Sequence, residues 1–377
     1  MKKIAYLAEN FGTFDNPVLD VGAIMHYSGH NVGNFAFWNA ARKLFNAELV
    51  FFSFGARQEF FKREEIDGIC IPAANFLNES ADLGWLAKII EYIDKPVFVL
   101  GIGAQSEHED RIPVLKQGTI DFLKSAAVRT PFICVRGHFS KKVCETYGVN
   151  NVKVLGCPSL FTNNNINLGN EIKERWNKPI EKIVIHAASI KQHVQNAERM
   201  LFSKLLIPGF SSYVLQRPAE LIKICLGEEL SDSEKLYVKK INQFLSPDLN
   251  FLSFKNIIRS KGFIPYSVDS WRFFLRTHTH SLGTRIHGAM MSLSAGLPTI
   301  CITHDTRTRE LCDVMHVPNI PHNQVNKFTS LSDIFNYVDK SFDPVAFEEN
   351  RIFIARQYIE LLSQIELEPS LTLRKFI

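Results

Sequence analysis

The stretch "GTRIHGAMMSLSAGLPTICITHDTRTRE", residues 283–310, holds a strand end, a helix and the next strand, and its reading decides the fold. "THSLG" is a short apolar strand that ends at Gly283. Thr284 is placed to cap a helix that begins with Arg285, Ile286 and His287 and continues to Gly296. Gly288 permits close approach of another group. "LPTICIT" is then the neighbouring strand, and its own loop presents His304, Asp305, Thr306 and Arg307. Apolar strands joined through a helix are the pattern of a parallel sheet covered on both faces. Adjacent strands lie about 5 Å apart, so both loops are expected to open onto one pocket. A core has no need of so many cations and imidazoles at such turns.

The same alternation extends outward. In the first half "KIAYLA", "ELVFFSF", "GICIP", "PVFVLGIG", "FICVRG" and "VKVLG" read as strands, and "FAFWNAARKLF", "LGWLAKIIEYI" and "FSKKVCETYG" as helices between them. The Asn-rich stretch "TNNNINLGNEIKERWNKP", residues 162–179, is the best linker. "EKIVIHAAS" restarts the pattern, "SYVLQR", "THSLGTR" and "PTICITH" follow, and "PVAFEENRIFIARQYIELLSQIE" reads as a long terminal helix. The expected fold class is α/β, with two doubly wound Rossmann-like domains facing a cleft. Its expected boundaries are an N-terminal domain over 1–165, a C-terminal domain over 166–345, and a terminal helix and tail over 346–377. A chain of 377 residues suits two domains.

Composition narrows the function classes. Hydrophobic residues make up 46% and charged residues 22%, as in a soluble globular protein. The 43 Lys and Arg against 39 Asp and Glu, without a basic run, argue against a nucleic-acid partner and leave room for an anionic small substrate. The seven cysteines are spread out and never form a CxxC pair, so they read as small hydrophobes in a reducing compartment. "MKKIAYLAENFG" lacks a signal-length apolar core, and no apolar run reaches membrane-span length. The expected location is cytoplasmic. The basic, apolar tail "SLTLRKFI" is compatible with peripheral contact at the inner membrane face, although a frayed terminus explains it more simply.

In open parallel sheets, ligands collect beyond the carboxyl ends of the strands, at loops and helix N-termini. A helix N-terminus favours anions, and added guanidinium groups suit a dianion or trianion. A small ligand with a phosphate and a carboxylate fits, as does a nucleotide diphosphate. The plainer alternative is that Arg285 and His287 pair with acidic neighbours at an interdomain seam, with Asp305 serving Arg285. Gln216 and Arg217, after "YVL", suit donor phosphate or a surface ion pair. His30, Asn31 and Asn34 in "SGHNVGN" suit sugar hydroxyls, although Asn34 would also serve as a cap. Gly103 and Gln105 in "GIGAQ" suit an acceptor, although a tight turn would explain the glycines. Arg136 either faces the cleft or holds its loop. His278 and His280, with His287 and His304, are the one metal constellation to weigh. No acidic cluster accompanies them, so no metal is expected.

At these residues the chain resembles a known family. "GTRIHGAMMSLSAGLPTICITHDTR" is similar to the donor-site signature of the polysaccharide pyruvyl transferases, an Arg-x-His-Gly run followed by a helix, Gly-x-Pro and a strand. "LGIGAQ", "VRGHFSKKVCETYGVNNVKVLGCPSLF" and "KIVIHAAS" fall in that family's order, and the resemblance covers roughly residues 1–345. Two departures stand out: "SGHNVGNFAF" replaces a Gly-Asp/Asn-rich segment, and "IVIHAASIK" offers His186 and Lys191 where a second arginine is found. The resemblance implies a GT-B-like fold and phosphoenolpyruvate as donor substrate, with no cofactor. It further implies transfer of a pyruvate ketal to two hydroxyls of a sugar, glycan or lipid-linked saccharide. It matches Arg285 and His287 to the family's donor-binding Arg and His; read from the residues themselves, Arg285 and His287 are the expected catalytic pair, and Ile286, Gly288, His304, Arg307, Gln216 and Arg217 are further donor-binding candidates. His30, Asn31, Asn34, Gly103, Gln105 and His186 fall on the acceptor side. The alternatives are a GT-B glycosyltransferase that uses a nucleotide sugar and a non-catalytic binding protein of the same fold.

Overall fold

A computed structural model describes residues 1–9, 20–106, 111–187 and 190–377. Parts of three expected ligand loops, after "KIAYLA", in "GIGAQSEHEDR" and in "IHAASIKQH", therefore lie outside the described residues. The strands of the first half are β1 (Lys3–Leu7), β2 (Phe45–Asn46), β3 (Glu48–Phe52), β4 (Gly68–Pro72), β5 (Val97–Ile102), β6 (Ile133–Val135) and β7 (Val152–Val154). Those of the second half are β8 (Ile183–His186), β9 (Ser211–Val214), β10 (Gly262–Phe263), β11 (His280–Gly283), β12 (Thr299–Thr303), β13 (Asn319–Pro321) and β14 (Glu368–Pro369). Among the described residues twelve of these strands form two six-stranded sheets, ordered β3-β1-β4-β5-β6-β7 and β10-β9-β8-β11-β12-β13, with every pairing inside them parallel. β4, β5, β6, β8 and β12 are buried along their whole length. Parallel sheets need helical cover on both faces, which is why these strands read as unbroken apolar runs.

The expected two-domain α/β architecture is the one that forms. Its linker is more ordered than composition suggests. Residues 162–179 contain a helix, Leu168–Trp176, that buries Leu168, Ile172 and Trp176. The asparagines before it build successive side-chain turns: Asn163 Oδ1 accepts from Asn165 N at 2.9 Å, and Asn165 Oδ1 from Asn167 N at 3.0 Å. Fully buried Arg351 donates to the carbonyls of Asn163 and Asn165 and pairs with Glu348 at 2.7 Å.

Arg351 lies on the long terminal helix, Pro344–Gln364, which reaches both domains. Glu348 accepts from Gly169 N, while Lys153 on β7 donates to Gln357 and Glu360 further along. The tail beyond this helix does not fray. β14 pairs antiparallel with β2, and the Phe376 ring packs 5.2 Å from Phe161. Among the described residues, no helix is long and apolar enough to cross a membrane.

One apolar cluster runs through both domains and joins Phe35, Phe37 and Trp38 to Ile286 and Met290. The contact is made by the helix Asn34–Arg42 against the helix Ile286–Ser294, all of whose residues are buried. A helix buried all round has no polar face, which accounts for the sequence "IHGAMMSLS".

Candidate active site

The loops after β5, β6 and β7 meet those after β11 and β12. Thr306 Oγ1 donates to Ser106 O at 3.1 Å, Ser140 Oγ to Glu310 Oε1 at 2.6 Å, and Gly156 lies against Met315. Both sheets thus turn their carboxyl ends into one interdomain cleft, where ligands of such sheets bind.

β11 ends at Gly283, where a Cβ would overlap the carbonyl of His186 on the adjacent strand. Thr284 does not cap the following helix. Its hydroxyl donates to the fully buried Glu198 at 2.7 Å, because a carboxylate inside the protein requires a donor. The helix begins at Ile286, and Arg285 is its N-cap in extended conformation. Arg285 Nε donates to Ala187 O at 3.3 Å. Burial, then the nearby Arg217, lower the guanidinium to about 10; Arg307 adds to this and Glu198 opposes it. Like charges gathered against desolvation mark a site suited to an anion.

His287 is buried at the seam. Its ring lies 5.3 Å from Phe37, and its Nε2 is 3.8 Å from Cys157 Sγ. Burial, then the fields of Arg136 and Arg307, hold this imidazole well below its usual range, so it is neutral at pH 7.

After β12, Asp305 caps the helix Thr306–Val314, accepting from Thr308 N at 2.9 Å. Its other oxygen receives Arg307 at 3.2 Å and faces His304 Nε2 at 3.6 Å. Burial pushes the Asp305 carboxyl up, but Arg307, His304 and the Thr308 bonds outweigh it and hold it at about 2. Burial lowers His304 to about 4, against the pull of Asp305. Asp305 thus pairs with Arg307 and His304, not with Arg285 as the seam alternative has it.

The remaining expected residues fall into three groups. Ile286 is buried, and the space left by Gly288 is filled by the His186 ring, which a Cβ would overlap. His186 itself is fully buried, 2.9 Å from Ser292 Oγ, and burial lowers it to about 3. It belongs to the sheet–helix core and not to the acceptor side of the cleft. Asn31 Oδ1 accepts from Gly33 N at 3.1 Å, and Asn34 Nδ2 donates to Ser28 O at 2.9 Å, so both asparagines hold their own turn while Gly33 is the N-cap. His30 is exposed at φ 60°. Gln216 packs against Gly33 across the seam, its buried Nε2 without a partner among the described residues, and Arg217 is exposed. Arg136 holds its loop. It is buried and donates to Gly101 O at 2.8 Å, Asn75 Oδ1 at 2.7 Å and Ala73 O at 3.2 Å, and it leaves Gly103 no room for a Cβ. His278 bonds Ser212 at 2.9 Å, and His280 packs 4.8 Å from Phe335.

Two features escape a reading by sequence. Glu310 crosses the seam to Ser140, accepting from both its amide and its hydroxyl, in space that only a glycine at 137 leaves open. Burial raises the Glu310 carboxyl in spite of those bonds. The cleft also contains a cavity of about 1120 Å³ bordered by Gln105, Lys191, His193, His304, Arg309 and His322. Arg285 and His287 do not line it. The single expected pocket is therefore two neighbouring regions: the loop after β12 borders the open cavity, while His287 after β11 is buried against Phe37 and Cys157.

The family model for polysaccharide pyruvyl transferase matches residues 31–306 of this chain. The chain belongs to that family. No curated protein matches it. Among solved structures it is similar to S. aureus MnaA with UDP, at 12% identity over 98% of this chain and 99% of that one, with a TM-score of 0.47. It is similar too to UDP-GlcNAc 2-epimerase from Neisseria meningitidis bound to UDP-GlcNAc, at 12% identity over 97% and 100%, with a TM-score of 0.46.

Proposed function

We propose that this polysaccharide pyruvyl transferase family member takes the pyruvyl group from phosphoenolpyruvate and sets it on two hydroxyls of a sugar as a cyclic ketal. The product belongs to bacterial-type surface polysaccharide or glycolipid synthesis at the cytoplasmic side. The observation that carries this reading is the gathering of Arg217 and Arg307 about Arg285 at one helix start, beside an imidazole that burial, Arg136 and Arg307 keep neutral. A donor bearing both carboxylate and phosphate is the counter-charge such a cluster suits.

In this reading Arg285 clamps the donor carboxylate with two parallel N–H bonds, a geometry that Lys does not offer. Arg307, whose buried Nε has no partner among the described residues, takes the phosphate together with Arg217 and His304. One sugar hydroxyl attacks the carbon bearing the phosphate ester, and a proton adds to the methylene carbon to make the methyl group. The C–O bond to phosphate breaks and the second hydroxyl attacks the same carbon; of the two hydroxyl protons released, one balances the proton gained by the methylene carbon and the other the proton that leaves with the phosphate. An arriving anion reverses the field at His287, so the imidazole gains a proton with the donor and passes it to the departing phosphate. A placed general acid contributes about 100- to 10,000-fold. No cofactor enters the scheme.

The test is direct: incubate the protein with phosphoenolpyruvate and a panel of glycans, then measure released phosphate and the mass of the glycan. Phosphate release that depends on a glycan and leaves a pyruvate ketal on it is expected. Glycosyl transfer from a nucleotide sugar, with phosphoenolpyruvate inert, would overturn the reading.

A further inference from the structure

The cavity beside the donor region has two chemically different walls. Asn78, Ser80 and Gln105 of the first domain give it neutral amides and a hydroxyl. Lys191, His193, Arg309 and His322 of the second give it cations and imidazoles. Among the described lining residues the two carboxylates are engaged by guanidinium groups, Glu79 by Arg111 at 3.2 Å and Asp305 by Arg307 at 3.2 Å. Among the described residues the second wall thus carries two cations, Lys191 and Arg309, against the one carboxylate of Asp305. The imidazoles crowd together, with His193 centred 5.5 Å from His322 and 6.2 Å from His304. Burial, then His193 and Arg309, lower His322. Among the described residues no three such groups are placed to hold a metal ion.

We infer that this wall is a second anion subsite, which binds a phosphate carried by the saccharide acceptor while its sugar lies against Gln105, Asn78 and Ser80. This rests on the pyruvyl-transfer reading. Amides and hydroxyls match sugar hydroxyls, and several separate donors along one wall suit a phosphate, whose oxygens are approached from many directions, better than a planar carboxylate. The size agrees. A pocket of about 300–1,000 Å³ encloses a whole drug-sized ligand, and 1120 Å³ is more than a three-carbon donor needs. His304 borders this cavity and feels the charge of Arg285, so an acceptor held here brings its hydroxyls toward the donor.

The probe is inorganic pyrophosphate, titrated calorimetrically with and without saturating phosphoenolpyruvate. Lys191 and Arg309 are exposed, so the doubly substituted Lys191→Ala, Arg309→Ala protein is expected to fold. The wild-type protein should bind pyrophosphate in both conditions. The double variant should bind it roughly tenfold or more weakly, with unchanged affinity for phosphoenolpyruvate. Arg285→Ala should show the reverse pattern. Equal pyrophosphate affinity in wild type and double variant would overturn the subsite. Pyrophosphate binding that depends on Lys191 and Arg309, in a protein that ignores phosphoenolpyruvate, would keep the subsite and sink the donor assignment. A nucleoside diphosphate sugar and a prenyl diphosphate saccharide carry the same group, and displacement of pyrophosphate by one of them identifies the source. Displacement by neither would overturn the acceptor role.

Discussion

The two histidine-bearing loops of the second domain use the same residue types and meet water in opposite ways. After β11, Arg285 and His287 are drawn into the seam, where the imidazole packs on Phe37 and Cys157. After β12 and β13, Arg309 and His322 border an open cavity together with Lys191 and His193, while the His304 ring on the same wall is buried. Desolvation multiplies each charge in the first region, whereas solvent screens the second. In the proposed reading the seam carries the chemistry and the cavity the recognition. It also orders what substitutions should do.

At the seam, Arg285→Ala should lower kcat/KM by roughly 100-fold or more, since a charge-assisted two-pronged contact is lost from a dry site. Arg285→Lys should recover little of it. His287→Gln keeps a hydrogen-bonding side chain without a titrating group. It should lower kcat by about 100-fold with little change in donor affinity. Single-turnover kinetics separate the two effects, and equal losses in binding and rate would remove the proton-transfer role.

Packing under the seam gives the next prediction. Alanine is favoured over glycine in a helix by about 1 kcal/mol, yet at Gly288 its Cβ would overlap the His186 ring. Gly288→Ala should therefore destabilise by about 1–3 kcal/mol and lower Tm. An unchanged or raised Tm would show that the ring can move aside. Ser140→Ala removes the hydroxyl bond to the buried Glu310, leaves it backbone amides, and should cost about 1–3 kcal/mol. Cavity-wall variants should raise the acceptor KM alone.

Acid sharpens the same contrast. His186, His278 and His304 sit at about 3, 4 and 4 in the fold, below the ordinary 6.5. Between pH 6.5 and 4 the unfolded chain binds protons that the fold refuses, so stability falls as pH falls through that window. Asp305, at about 2, works in a lower one: its contribution is present above pH 3.8 and fades toward pH 2. Thermal melts across pH 4–7 should show the histidine slope, shallower in His278→Gln.

Much of this was legible in the sequence, for physical reasons. Strands buried on both faces, such as "GICIP" and "TICIT", declare themselves as apolar runs, and their ends locate the loops. The helix Leu168–Trp176 was hidden because its apolar residues, Leu168, Ile172 and Trp176, are embedded in asparagine-rich surroundings. The tail's docking depends on Phe161 and β2, more than 200 residues away in sequence, which no local pattern reports. Proximity in sequence also placed His287 and His304 in one pocket, whereas only His304 borders the open cavity. His322 sits just past β13, where the strand-end rule would have found it. Glu198 lies on a separate helix and carries no comparable signal.

The most direct measurement is a calorimetric titration of wild-type and Arg285→Ala protein with phosphoenolpyruvate and with UDP. Phosphoenolpyruvate binding to wild type that disappears in Arg285→Ala, with UDP silent or unaffected by the substitution, is the expected result. UDP binding that requires Arg285, with no response to phosphoenolpyruvate, would contradict the account and make the seam a nucleotide site.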